Sequence, residues 1–352
     1  MSGHIDATTD AVDADVAEAT TDAVDGDADA TATDVLIHHS VPGVFGTDFR
    51  RRLCSRVDAA LPAADRIETA RTAAETRAAI GDVNVVLTVR PVSETLPDGA
   101  APDWIQTLNA GVDSYDLAEL DARGVAVTNA SGVAANPIAE QVLGYLLAFE
   151  RRIHRGIRQQ EREGVWRDYS AGELRGKTLG IVGVGAIGTR VAELATGFDL
   201  EVIGTKRTPE TAPDVVDEAY PPSGLSELLV RSDHVVLACP LVEETRGLIG
   251  REELMAMGSD AVLVNVARGE VVDEPALETA LQQGRIRGAA LDVFEEEPLP
   301  ADSPLWNLPN AIITPHMAGS TPKYADRIGD LFAENYERYA DGELDELRNR
   351  VV

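Results

Sequence analysis

Three side chains late in the chain have the types and setting for proton transfer beside an anion: Arg268, Glu297 and His316. His316 stands in Thr314-Pro315-His316-Met317-Ala318-Gly319, just after an apolar run, and of the six histidines it alone combines an expected strand end with a glycine-containing turn. Glu297 follows Leu291-Asp292-Val293-Phe294, and Arg268 follows Val264-Asn265-Val266-Ala267. An imidazole exchanges protons near neutral pH. A carboxylate beside it would orient the ring and face its positive charge. A guanidinium is a planar fork suited to a carboxylate. Taken singly, each residue also has a plainer use. A lone histidine is more often structural than catalytic. Glu297 belongs to the acidic run Glu295 to Glu297, which could be a solvated loop, and Arg268 could be a structural ion-pair partner.

Convergence of the three needs strands that end side by side, and the stretch from Thr178 to Arg207 fixes the kind of sheet. Leu179, Ile181 and Val182 lead straight into Gly183-x-Gly185-x-x-Gly188, and Val191, Leu194 and Ala195 follow at helical spacing. Val202 to Gly204 is a second apolar run, at the distance that completes a β-α-β unit. This is the logic of a dinucleotide site. Gly183 permits the turn, Gly185 lets a pyrophosphate approach the backbone, Gly188 packs helix on strand, and the helix start offers N–H groups to phosphates. The tip of the second strand selects the cofactor, because NAD calls for an acid there and NADP for cations. This chain has Thr205-Lys206-Arg207-Thr208, while Asp199 and Glu201 come too early. NADP(H) is therefore expected, with NAD(H) second. Arg207 and Lys206 would meet the 2′-phosphate and Thr205 or Thr208 would add a hydroxyl; a solvated charged pair is the plainer reading of the two cations. Hydride transfer to a keto carbon would leave an alkoxide, to which His316 could donate a proton.

Around this unit, short apolar runs alternate with amphipathic stretches. Val35 to Ile37, Val83 to Val89, Trp104 to Leu108 and Val125 to Thr128 read as extended; Thr47 to Leu53, Glu68 to Ile80 and Asp116 to Ala122 read as helices. The alternation predicts a first α/β domain with a parallel sheet. Its loops Val89-Arg90-Pro91 and Asn109-Ala110-Gly111-Val112-Asp113 should end strands and face a cleft, although turn chemistry alone would also account for Gly111 and Asp113. Asn136-Pro137 opens a long helix, and Arg151 to Glu163 continues as a charged one. Further strands are expected at His234 to Ala238, Ala261 to Val266, Ala289 to Val293 and Ala311 to Thr314, with helices such as Glu274 to Gln283 between them: a second doubly wound sheet. Lys323 to Tyr339 should form a helix that returns to the first domain.

The chain of 352 residues is long enough for two domains with cores, and carries 60 acidic against 31 basic residues, a net charge of −29. Ten of the acids lie in residues 1–34, which have no Lys or Arg, leaving 50 acids against 31 bases in the rest. So acidic a surface argues against nucleic acid and anionic membrane as partners. With only three lysines, Lys177, Lys206 and Lys323, it suggests a protein kept soluble in concentrated salt. Residues 1–33 lack a periodic apolar face and are expected to be disordered; they also lack the regions of a secretory signal, and no run approaches the length of a membrane span. Cys54 and Cys239 fit no metal spacing, so reduced cysteines, no metal and a cytoplasmic location are expected.

Several separated stretches resemble the D-isomer-specific 2-hydroxyacid dehydrogenases. They are Asn129 to Arg152, Asp233 to Leu248 with Cys239-Pro240-Leu241 and Glu244-Thr245-Arg246, Val264 to Glu274, Leu291 to Leu299, and Thr314-Pro315-His316. The likeness covers about residues 35 to 340 and suggests an acidic, haloarchaeal-like member. It implies reversible reduction of a 2-oxo acid to a D-2-hydroxy acid, with Arg268, Glu297 and His316 as the catalytic trio. Asp292 would hold the nicotinamide carboxamide, and Ala186, Ile187, Cys239, Pro240, Thr245, Val266, Ala267 and Gly319 would line the cofactor. Backbone groups near Val89, Arg90 and Gly111, with Arg268 and His316, would take the substrate. The implied architecture is α/β throughout: a flavodoxin-like substrate domain, 34–130 and 319–352, with a Rossmann domain, 131–318, inserted, assembled as a homodimer around the nucleotide domain. Two other activities fit the same scaffold: a formate- or phosphite-type dehydrogenase, and a nucleotide-sensing corepressor-like binding protein.

Overall fold

The computed structural model describes residues 34–97, 99, 101–161 and 166–352; the acidic segment 1–33 and the end of the charged helix expected over 151–163 lie outside them. Among the described residues the apolar runs form two parallel sheets. Most of their strands are buried on both faces, as parallel strands covered by helices must be.

The first sheet holds β1 (Asp34–Ile37), β2 (Arg66–Thr69), β3 (Val85–Thr88), β4 (Trp104–Thr107) and β5 (Ala126–Thr128), in the order β2-β1-β3-β4-β5. That is the flavodoxin-like order. Helices α1 (Ser40–Ala60), α2 (Ala73–Ala79) and α3 (Leu117–Ala122) connect the strands. α1 bends at Gly46, φ +78°, so the helix expected from Thr47 is its second part. The single helix expected over Glu68 to Ile80 is instead an edge strand, a break, and α2, which starts where the Thr72 hydroxyl accepts the Glu75 N–H at 3.1 Å. Its charged, half-exposed Arg-Ile-Glu-Thr sequence carries no strong strand signal because β2 is paired on one side only.

The second sheet holds β6 (Thr178–Val182), β7 (Glu201–Thr205), β8 (Glu218–Tyr220), β9 (His234–Leu237), β10 (Val262–Asn265), β11 (Gly288–Leu291) and β12 (Ala311–Ile313), in the order β12-β11-β10-β9-β6-β7-β8. β8, another short edge strand, was not anticipated. Helices α4 (Ala135–Glu150), α5 (Ile153–Glu161), α6 (Ala186–Ala195), α7 (Leu225–Arg231), α8 (Arg251–Ala256) and α9 (Glu274–Gln282) complete this lobe. Strand order reverses between β6 and β9, and a crevice must open there at the carboxyl ends. At the opposite, amino edge, Glu150 is 1% exposed and faces Arg287, Lys177 Nζ at 3.3 Å and His234 Nε2 at 3.1 Å. Burial works against its charge, but the close approach of His234 and the hydrogen bond and positive charge of Arg287 hold its carboxyl well below the usual carboxylate range.

The last helix, α10 (Tyr324–Ala340), returns to the first sheet, where Phe332 stacks on the fully buried Trp104 with ring centroids 5.3 Å apart. The residues after it cover the outer edge of β5, where Val127 donates its N–H to Val352 O at 3.1 Å and accepts Val351 N–H through its carbonyl at 2.8 Å.

Candidate active site

The tips of β10, β11 and β12 lie side by side because these strands are consecutive neighbours in one parallel sheet. After β10, the buried Asn265 side chain shapes the turn: Oδ1 accepts Ala267 N–H at 3.0 Å and Nδ2 donates to Arg268 O at 2.8 Å. A Cβ at Gly269 would lie 1.9 Å from the Phe294 carbonyl carbon, so the turn after β10 presses directly on the turn after β11. There Glu297 Oε1 accepts Phe294 N–H at 3.1 Å, and Oε2 lies 2.7 Å from His316 Nδ1. Of the acidic run, Glu295 is turned to the backbone of Glu274, and it is Glu297 that meets the imidazole. With Nδ1 facing a carboxylate, Nε2 is the nitrogen left for proton exchange, on a side chain 54% exposed.

Asp292 is the organiser of this loop. It is 2% exposed, and its two oxygens accept Met317 N–H and Ala318 N–H, each at 2.9 Å, and the Thr314 hydroxyl, while its carbonyl accepts His316 N–H at 2.8 Å. These bonds clamp His316 on both sides at φ +47°, a conformation that a residue with a Cβ seldom adopts. Asp292 thus spends its carboxylate on the loop that carries the histidine. Asn265 and this use of Asp292 escaped the sequence reading, although a polar residue inside an apolar strand was a visible signal for both.

Arg268 crosses to the other lobe. Its Nε donates to Asp113 Oδ2 at 3.1 Å and its Nη1 to Ala267 O at 2.7 Å. Nη2 lies against Gly111, where a Cβ would be only 1.8 Å away, and it has no further partner among the described residues. The ion-pair use and the availability of a fork end are therefore both present in one side chain. Opposite, the Val89–Arg90 loop is tied to the same tip: Asn109 Nδ2 donates to Val89 O at 2.6 Å. The Val89 and Arg90 N–H groups, expected to serve a substrate carboxylate, instead donate to the Ser40 and Thr88 hydroxyls at 3.3 and 3.2 Å. His38 and His39 also follow a strand tip, that of β1, so His316 is not alone in that respect.

At the switch point a cavity of about 730 Å³ opens. Gly183, Gly185, Thr205, Lys206, Arg207, Thr208, Cys239, Pro240 and Thr245 line it. Gly183, φ +99°, passes within 2.8 Å of Cys239 backbone atoms as measured from an added Cβ, so β6 and β9 approach this closely only with glycine there. Gly185 opens onto empty space, and the first turn of α6, with Ala186 and Ile187, has no side-chain cap. Open backbone, an uncapped helix start and the cavity fit a dinucleotide pyrophosphate. Gly188 packs against Gly183 O. Two hydroxyl and ammonium expectations change, however. Thr205 Oγ1 is buried and accepts Gly183 N–H at 3.1 Å, and Lys206 Nζ donates to Val184 O at 2.9 Å, so both brace the glycine turn. Arg207 and Thr208 remain exposed at the cavity rim. Val266 and Ala267 are buried in the β10 tip, and Gly319 backs onto Ala134 and Ile138.

Among the described residues no cluster of acids, histidines and cysteines has metal-ligand geometry, and no helix is long and apolar enough to cross a membrane. The chain is similar to glyoxylate reductase of Thermofilum pendens, 38% identical over 252 residues that make 70% of this chain and 74% of that one. It is 39% identical to D-3-phosphoglycerate dehydrogenase of Methanocaldococcus jannaschii over 67% of this chain, spanning only 45% of that longer protein. Among solved structures, a D-isomer specific 2-hydroxyacid dehydrogenase from Xanthobacter autotrophicus Py2 in complex with NADPH and MES superposes with a TM-score of 0.75, at 32% identity, covering 91% of this chain and 98% of that one. Residues 143–318, the lobe with the glycine turn and all three strand tips, match the profile of the NAD binding domain of one family. With that match, and with a relative 38% identical over 74% of its length, the chain belongs to the D-isomer specific 2-hydroxyacid dehydrogenases.

Proposed function

We propose that this protein interconverts small 2-oxo acids and D-2-hydroxy acids, with NADP(H) as the preferred nicotinamide cofactor. The observation that carries the reading is the 2.7 Å contact of His316 Nδ1 with Glu297 Oε2 on a strand tip adjoining that of Arg268. A nicotinamide bound in the crevice supplies or accepts the hydride. Arg268 holds the substrate carboxylate through Nη2, in the space that Gly111 leaves. His316 donates its Nε2 proton to the alkoxide oxygen in reduction and recovers it in oxidation, while Glu297 fixes the ring and balances its charge. Asp292 keeps the His316 loop in place. The Val89–Arg90 loop forms the far wall.

Arg207 and Thr208 at the rim, with no acid at the tip of β7, support NADP(H) over NAD(H). On this reading residues 131–318 are the nucleotide-binding domain, and 34–130 with 319–352 the substrate domain. Homodimers form through the nucleotide-binding lobe, where Ile153, Ile157 and Trp166 are 48%, 51% and 93% exposed. The acidic balance supports a protein of salty cytoplasm, whose activity should rise with molar KCl. The deciding experiment follows reduced-nicotinamide absorbance with glyoxylate, hydroxypyruvate, pyruvate and 2-oxobutyrate, each with NADPH and NADH. Turnover of at least one acid, faster with NADPH, is expected. Cofactor binding without turnover of any 2-oxo acid would sink the assignment.

A further inference from the structure

Under the Val89–Arg90 loop lies a set of buried polar side chains that the chemistry above does not use. β1 runs into His38, His39 and Ser40, and His38 and Ser40 are 2% and 6% exposed. Burial, with the His39 ring 4.2 Å away, pushes His38 down to about 4, so its ring is neutral at physiological pH. A neutral imidazole has one acceptor nitrogen and one donor nitrogen. Ser40 N–H points at His38 Nδ1 from 3.1 Å, and a backbone N–H only donates, so Nδ1 is the acceptor. Ser40 Oγ lies 2.8 Å from the same nitrogen and 3.4 Å from the Thr88 hydroxyl oxygen, so its hydrogen goes to the nearer acceptor, Nδ1. Only lone pairs of that hydroxyl are then left for the Val89 N–H, which it accepts at 3.3 Å. Thr88 completes the support, accepting Arg90 N–H at 3.2 Å and donating to Arg90 O at 2.6 Å. His38 Nε2, by contrast, has no hydrogen-bond partner among the described residues. A buried donor left unmet is destabilising, and an apolar ring would fill the space without it. The atom that accounts for an imidazole here is Nδ1.

We infer that His38 is a positioning residue for the substrate: through Nδ1 it sets the direction of the Ser40 hydroxyl, which holds the Val89 amide and keeps the wall of the substrate pocket in shape. The inference rests on the reading that the Val89–Arg90 loop receives the 2-oxo acid.

Three variants of the full chain test it: His38→Asn, which keeps an acceptor where Nδ1 stands, His38→Gln, whose amide reaches toward Nε2 instead, and Ser40→Ala. Amide hydrogen exchange at Val89 should quicken by about two- to tenfold in His38→Gln and Ser40→Ala, the scale of one neutral hydrogen bond. KM for the 2-oxo acid should rise by a similar factor, with kcat and the dissociation constant of reduced nicotinamide unchanged, and His38→Asn should stay near the parent in both. A merely structural histidine would instead lower thermal stability in both His38 variants and leave KM alone. Equal behaviour of the Asn and Gln variants, unchanged exchange in Ser40→Ala, or faster exchange with an unmoved KM in an active enzyme would each overturn the inference. Faster exchange in a protein that reduces no 2-oxo acid would leave the hydrogen-bond relay standing and remove the proposed activity.

Discussion

Replacing Gly111 by Ala puts a methyl carbon 1.8 Å from Arg268 Nη2, 3.0 Å from its Cζ and 3.0 Å from Asp113 Oδ2. Ordinary contact between such atoms is about 3.5 Å, so the guanidinium must retreat by roughly 1.5 Å. Nothing in the Gly111 backbone resists, since its φ lies outside the left-handed region, and the obstructing atom is the end of a flexible side chain. The fold should therefore survive, with the melting temperature close to the parent's. The retreat takes Nη2 from the position where it would meet a substrate carboxylate and strains the 3.1 Å bond to Asp113. Loss of one charge-assisted hydrogen bond is about 1.5–3 kcal/mol, or roughly 10- to 100-fold in kcat/KM at about 1.4 kcal/mol per tenfold. Because a carboxylate is held alike in ground and transition states, most of the loss should appear in KM. Gly269→Ala is the contrasting variant. Its methyl would meet the Phe294 and Glu295 backbone at 1.9–2.3 Å, where no side chain can swing aside, and overpacking of about 1–3 kcal/mol should show as a lower melting temperature. The assay is steady-state kinetics at saturating cofactor beside thermal unfolding by circular dichroism. Unchanged kcat/KM in Gly111→Ala would refute the placement of the guanidinium and the role drawn from it.

His316→Gln should bind cofactor normally yet lose at least about a hundredfold in turnover, the scale of a missing general acid; retained turnover would dismiss its role. Arg207→Ala should raise KM for NADPH by about tenfold and leave KM for NADH in place, whereas Lys206→Ala, by releasing Val184 O, should weaken both cofactors alike. A Lys206 variant selective for NADPH would show that its ammonium turns to the 2′-phosphate after all. Glu150→Gln leaves Arg287 and Lys177 without their buried counter-charge, a loss of about 3 kcal/mol or more, readable as a fall of roughly 6–12 °C in melting temperature with kinetics at low temperature unaltered. The parent should show the linked pH effect. The lowered Glu150 carboxyl contributes its stability above the usual carboxylate range and loses it as pH falls through the folded value, so the variant's acid limb should be shallower in urea titrations.

Much of this was legible from spacing. A run such as Leu179 to Val182 has to be a buried strand, Gly183-x-Gly185-x-x-Gly188 has to turn and open a helix, and parallel strands carry the residues after them to one edge. Arg268, Glu297 and His316 could be singled out for that reason. The edge strands β2 and β8 were not legible, because pairing on one side leaves their sequences free to be polar and short.

Which partner each polar side chain takes was settled elsewhere. Arg268 and Asp113 are 155 positions apart, and Lys206 could reach a phosphate or Val184 O with the same extended chain. Periodicity and turn chemistry are local, set by burial and backbone sterics within a few residues, so the amino-acid order alone determined the apolar interior strands, the glycine turn and the set of groups at the sheet edge. Competition among donors and acceptors is decided by distances of a few tenths of an ångström between segments remote in the chain. Only the packed structure could therefore hand Thr205 to Gly183, Asp292 to the His316 loop and Ser40 to Val89.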